Sequence, residues 1–383
     1  MQLSLGGVVF KAPGDRDLLK GEKPMRLSRF GPPLLCGLFW ASTASLYAAS
    51  PGAADSPSWC SVPRQAIPRD AVATVVKEAQ SKLDDQPHPL SEVHVSGLLP
   101  HQGHSDEAKE AKKDLPLMRS AALAWYAGAG DQYLAMANRY LMAWINTYQP
   151  TYKAIDEAGF DPLIDTYAMI RDHMDPSDQA KAAEMLRKWA KGYISQIDSH
   201  PEDRQAGEDK WDNNFQSHRI KLITMIAVAL GDRKLFDQAQ QLFWKHLSIN
   251  MKPDGSVLDF YRRDAVKYVD FDLEGMLRGA MAARAYGEDW YHRPAANGAS
   301  LEKGVQWLLP YANGEKTHQE FVHSDVAFDA QRASAGVEGM SGPYDPKDAA
   351  KVMRFAALFD PQYRSLAESL SEKETPFLTI CGQ

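Results

Sequence analysis

Cysteine is scarce in this chain, with three in 383 residues. No apolar run is long and charge-free enough to span a bilayer. No Gly-x-Ser-x-Gly elbow, glycine-rich phosphate loop or paired-cysteine pattern occurs, which argues against a serine hydrolase of that type, a nucleotide enzyme and a cysteine-bound zinc. Basic residues are in deficit: 43 Lys and Arg face 50 Asp and Glu, for a formal charge of −7. A nucleic-acid or anionic-membrane partner would need a broad basic face, so neither is expected. A basic cleft that takes an acidic polysaccharide is still compatible with this balance. Alternating apolar runs and Asn-Gly hairpin signals are also rare, which disfavours a β fold.

The N-terminal region carries an export pattern. Arg26 and Arg29 precede an apolar core from Pro33 to Trp40, and small residues follow through Ala48-Ala49 to Ala53-Ala54. That reads as a signal peptide, since the apolar run is too short for a membrane span. Residues 1–54 are therefore read as an extension with a signal peptide, and 55–383 as one domain in a periplasmic or secreted protein. Cys36 would be lost on cleavage. Cys60 and Cys381 would remain near the two ends, either bridged in an oxidising compartment or unpaired.

From about residue 66 onward apolar residues recur at helical spacing. The stretches run 117–126, 131–148, 162–173, 178–198, 214–230, 234–249, 271–286, 347–359 and 361–371. Gly231-Asp232 and Gly287-Glu288 read as stops between successive helices. Many antiparallel helix pairs joined by short turns predict an all-α fold, an incomplete α/α toroid with a central cleft. Segments 84–116, 250–270 and 309–345 are rich in Pro, Gly, His and Asp and are expected to line that cleft. Ser256–Phe260 is the best candidate for an extended piece.

Two stretches concentrate chemistry. Asn214 and His218 are spaced i, i+4, one turn apart on the same helical face, with Asn213 as N-cap and Trp211 at the mouth. Tyr261, Arg262, Arg263 and Tyr268 precede the next apolar helix. Each stretch alone also fits a capped helix or a solvated basic face. If they meet, they supply a neutral amide, cations, an imidazole and a phenol, which suits removal of a proton beside a carboxylate. His101 and His104 sit in a loop where they could contact a sugar; with no third ligand in register, a metal is not expected.

Asn213-Asn214, a histidine four residues later, a helix, an Asp-Gly turn, and then Arg262 before Tyr268 form a pattern that resembles the alginate lyase superfamily of α/α-toroid polysaccharide lyases. The likeness extends to the aromatic helix Tyr133–Trp144 and covers roughly residues 90–330. It implies an anionic polysaccharide substrate and no nucleotide or organic cofactor. The resemblance gives Asn214 the role of carboxylate binder and Tyr268 that of catalyst, with Arg262 near the expected arginine. Where the best-known members place a histidine directly after the asparagine pair, this chain has Phe215, which points toward a mannuronan or glucuronan lyase branch with His218 as substitute.

The chemistry so implied is β-elimination at a uronate. Loss of the C5 proton places charge on the adjacent carboxylate, and groups that bind it more strongly in the transition state lower the barrier. Asn214, Arg262 and Arg263 are the candidate stabilisers, and Tyr268 the acid and base. His218 would be a separate base if H5 and O4 lie on opposite faces. Trp211 and Tyr261 are candidates for stacking on sugar rings. Two other readings stay open: a glycoside hydrolase using two carboxylates, and a non-catalytic polyuronate-binding protein.

Overall fold

A computed structural model describes residues 58–60, 62–200, 211–371 and 376–382. The expected signal segment, with Cys36, lies outside the described residues. The described residues fall within one unit, Ala53–Gln383. Among them there is no β-strand, only two isolated bridges. The first helices are α1 (Arg69–Gln80), α2 (Ser105–Ala111), α3 (Asp114–Tyr126), α4 (Asp131–Thr147), α5 (Ala154–Glu157) and α6 (Asp161–Ile170). The middle of the chain forms α7 (Pro176–Asp198), α8 (Asn214–Ala229), α9 (Arg233–Asn250), α10 (Leu258–Arg263) and α11 (Val266–Ala283). There follow α12 (Leu301–Ala312), α13 (Ala327–Ser334), α14 (Ala350–Ala356), α15 (Arg364–Leu370) and α16 (Pro376–Cys381).

The burial pattern sorts these helices into two layers. In α3, α6, α8 and α11 most residues are buried on every side. In α1, α7, α9 and α12 burial is confined to a stripe, as in Ala71, Val75 and Ala79 of α1 or Leu301, Val305 and Leu308 of α12. The all-round helices pack on one another, α3 on α6, α6 on α8 and α8 on α11, and each also meets partners outside this set. Thus α3 pairs with α1 and α4, α8 with α7 and α9, and α11 with α12 and α14. This is the expected α/α toroid. Capping sets the helix starts: Asp175, Asn213, Asp232 and Ser300 each accept a backbone N–H of the first turn.

The helix ends at Gly231 and Gly287 fall as expected, both in left-handed backbone (φ 63° and 74°). Other boundaries differ. Ser256–Phe260 is not a strand: Val257 forms one bridge to Met251, and α10 starts at Leu258. The segment 309–345, expected to be irregular, holds the end of α12 and all of α13.

The two ends of the described chain meet at one corner of the inner layer. Cys60 and Cys381 form a disulfide across 321 residues of sequence. Beside it Trp59 Nε1 donates to Asp165 Oδ1 (3.0 Å), and Asp165 also pairs with Arg119 (3.1 Å) and Arg278. Both guanidiniums lie over the Phe377 ring, at 4.7 and 5.1 Å. One buried carboxylate thus joins α3, α6 and α11, while the terminal segments cover it with aromatic rings. Cys381→Ser should cost about 2–5 kcal/mol of stability, the range typical for a native disulfide, because the unfolded chain regains its freedom. A thermal melt equal to that of the parent protein would refute that contribution.

Candidate active site

The turn between α10 and α11 builds the site. Asp264 adopts left-handed backbone (φ 47°), unusual for a side-chain-bearing residue. The turn is held on both sides: the Asp264 carbonyl accepts from Phe321 N (2.8 Å) and lies 2.9 Å from His318 Nε2, and its carboxylate accepts from His323 N (3.0 Å). Glu320 then caps α11, accepting the backbone N–H groups of Val266 (2.9 Å) and Lys267 (3.2 Å). The corner therefore ends one helix at Arg263 and starts the next just before Tyr268.

Both residues open on a cleft of about 440 Å³. Arg263 stacks on the Tyr268 ring, 3.9 Å from guanidinium to centroid, and Arg332 of α13 donates to the phenolic oxygen at 2.7 Å. Asp329 lies between the two arginines, 2.6 Å from Arg263 Nη1 and 3.7 Å from Arg332 Nη1. Asp259 approaches Arg263 Nε from the other side at 3.8 Å, and both aspartates are buried. The opposite wall is the loop Val95–Leu98, fixed where Asp156 Oδ1 accepts the N–H groups of Val95 (2.7 Å) and Ser96 (2.6 Å). Phe215, Phe271 and Phe328 supply apolar wall.

Tyr268 and Arg263 of the expected set open on this cleft, and Asn214 borders it. Asn214 has no exposed surface, however: its backbone N and Nδ2 both donate to Asp259 Oδ2 at 2.8 Å, and Phe215 presents the surface beside it. Asn213 is the N-cap, buried, with its side chain accepting from Phe215 N.

The remaining residues lie elsewhere. His218 is fully buried, its ring 4.1 Å from Phe271 and its Nε2 3.1 Å from the Phe271 carbonyl, so it reaches no substrate. Burial, aided by Lys221, pushes its pKa well down. From the face that it shares with Asn214, His218 turns toward α11 rather than the cleft. Trp211 stacks on His200 (4.1 Å) under Arg219 (3.8 Å) and lines a second cavity with Lys245 and His246. Tyr261 points to solvent, its ring under Lys252 and its hydroxyl 2.9 Å from Ser256 Oγ. Arg262 is not among the cleft-lining residues, and its carbonyl accepts from Asp325 N. His101 and His104 are exposed and engaged by Asp106 and Glu107, away from the cleft. Among the described residues no group of His, Cys, Asp and Glu is arranged to hold a metal.

Sequence reading missed Lys267, Arg332 and Asp329. Asp329 and Arg332 are spaced i, i+3 on α13, a weak signal in a segment taken for a loop.

Behind Asn214 runs a buried polar network. Ser217 Oγ donates to Asp272 and lies 2.7 Å from His246 Nε2, and Asn250 Nδ2 also donates to Asp272. Burial, reinforced by the charge of Asp259, raises the Asp272 carboxyl to about 8, while burial holds His246 down to about 3.

A cleft of this kind at the heart of an α/α toroid, with a phenol set between two guanidiniums, is the framework of a polysaccharide lyase. The chain belongs to the alginate lyase family, whose model matches residues 61–318. Among solved structures, an alginate lyase from Bacteroides ovatus is similar at 18% identity and TM-score 0.58, over 82% of this chain and 93% of that one. Alginate lyase A1-III from Sphingomonas species A1 is similar at 14% identity and TM-score 0.51, over 79% and 92% of the respective chains. At these identities the likeness is one of fold. No curated protein matches the sequence.

Asp272 makes stability depend on pH. Its folded pKa lies above the unfolded value, so between the ordinary carboxylate range and about 8 the folded state holds a proton that the unfolded state has lost. Stability therefore falls as pH rises through that window. His246, depressed to about 3, works in the opposite sense below its ordinary value of about 6.5, so the fall stands clear only above that pH. Melting temperatures should drop between pH 6.5 and 8 in the parent protein and drop less in Asp272→Asn. Identical slopes in the two proteins would count against a protonated Asp272.

Proposed function

We propose that this polysaccharide lyase is an exported enzyme that cleaves mannuronate- or glucuronate-linked polysaccharide by β-elimination, with Tyr268 as both base and acid. The observation that carries this reading is the Tyr268 hydroxyl, which opens on the cleft with Arg332 bonded to its oxygen and Arg263 against its ring. In the proposed step Tyr268, acting as a phenolate, takes the C5 proton and becomes the phenol, and the electron pair of the C5–H bond forms the C4–C5 double bond. The C4–O4 bond breaks, and the same phenol returns the proton to O4, leaving an unsaturated uronate on one fragment and a free hydroxyl on the other. Negative charge on the phenolic oxygen would be met by the Arg332 guanidinium in a partly desolvated site, where a fixed donor counts for more than water.

One phenol serves both roles only where H5 and O4 lie on one face of the ring. That holds for D-mannuronate and D-glucuronate, which share their configuration at C4 and C5. It fails for L-guluronate and D-galacturonate, where a second group on the far face is needed. With His218 buried behind Phe271, this favours the first pair. Export is supported by the Cys60–Cys381 disulfide, which suits an oxidising compartment, together with the N-terminal pattern.

A hydrolase would need two carboxylates at the cleft with separate roles. Of the carboxylates that line the cleft, Asp270 is buried and accepts from Tyr344 Oη (2.7 Å) and Glu274 pairs with Lys351, which leaves the solvated Asp348 beside Lys267 where two are needed. Ultraviolet absorbance of the unsaturated product decides the matter on polymannuronate, glucuronan, polyguluronate and polygalacturonate. Cleavage of either of the first two and not of the last two is expected; reducing ends without absorbance would indicate hydrolysis instead. Tyr268→Phe should lower kcat by about 10²–10⁴-fold, the usual contribution of a positioned proton carrier. Retained elimination in that variant would remove Tyr268 from the mechanism.

A further inference from the structure

Elimination requires a group that takes up the charge building on the substrate carboxylate, and the residue expected to do so, Asn214, is sealed. Its amide is held by Asp259 and has no exposed surface. Three cations line the cleft: Arg263, Arg332 and Lys267. Arg263 is enclosed by Asp259, Asp329 and the Tyr268 ring, with 12% of its side chain exposed. Arg332 is committed to the phenolic oxygen and to Asp329. Lys267 differs in kind. Its side chain is 35% exposed, and its ion-pair partner Asp348, at 3.1 Å, is itself 38% exposed. A solvated pair of that sort contributes little, so an incoming carboxylate can replace it at small cost.

We infer that Lys267 binds the substrate's carboxylate in place of the buried asparagine, with Asp348 holding the ammonium at the cleft until substrate arrives. Lys267 precedes Tyr268 directly on α11, and both side chains border the same cleft. A carboxylate on the ammonium therefore brings C5, which bears it, beside the phenol that takes its proton. The surrounding loop leaves room for the ammonium. Gly339 has left-handed backbone (φ 72°), and a β-carbon there would collide with Lys267 Nζ. Glu320, which accepts the Lys267 backbone N–H, fixes the start of the helix that carries both residues.

This inference rests on the lyase reading, and the test separates the two. The uronan cleaved fastest in the panel is offered in its native acid form and as its carboxyl methyl ester. Lys267→Met should lower kcat/KM on the acid form by about 10²-fold, the loss typical when one transition-state donor is removed. On the ester the loss should be small, because no charge is left for the ammonium to meet. Asp348→Asn should act in the opposite direction and lower KM on the acid form, since it releases the lysine. A purely structural pair would give losses of the same sign from both variants. Equal losses on acid and ester in Lys267→Met, or a raised KM in Asp348→Asn, would overturn the assignment while leaving elimination by Tyr268 intact. If the parent protein yields no unsaturated product from any uronan, the lyase reading fails first.

Discussion

Arg263 lies between two buried carboxylates, Asp259 and Asp329, with the ring of Tyr268 across its face. That enclosure orders the site. A guanidinium can be taken out of water only where charges and hydrogen bonds replace its hydration, and here each neighbour that does so also has a second task. Asp259 holds Asn214 at the start of α8, and Asp329 approaches Arg332 on α13. Tyr268 begins the inner helix α11. One cation therefore ties together three segments more than 40 residues apart in sequence, and removing either aspartate would leave a buried charge with one of its two partners gone.

The same arrangement explains why the polar groups at the cleft are unequal. Those that face two or three charged neighbours are held from several sides and partly spent on one another, which suits orienting a phenol. Those with a single solvated partner are available to a ligand. Phe215 follows from this division: beside an asparagine whose N–H groups are already accepted by Asp259, an apolar ring covers the amide and shapes the wall. His218, one turn further on, backs onto Phe271 and packs against α11 near Gly275, so it supports the wall from behind.

Much of the architecture was legible in the chain because helices are local. The apolar spacing of α7, α8 and α9, the cap Asn213 and the stop at Gly231-Asp232 can each be read within a few residues. The reading went astray where local signals misled. Leu258–Arg263 carries β-prone residues yet turns helical between the bridge at Val257 and the corner at Asp264. Asn214 and His218 do share a helical face, but nothing local indicates whether that face meets a cleft or another helix.

What the sequence determined by itself was the helical content, the positions of most turns, and two stretches rich in amide, cation and phenol. These depend on the periodicity of side chains and the conformational limits of glycine and capping residues, which act over a few positions. Tertiary structure alone decided which polar groups face the cleft. It closed Asn214 behind Phe215, withdrew His218 into the contact between α8 and α11, sent Trp211 to a separate cavity, and carried Arg332 across 64 positions to Tyr268. The physical reason is that exposure and electrostatic pairing are properties of a packed arrangement. A charged side chain becomes a structural clamp or a ligand-binding group according to how many opposite charges the fold brings within reach.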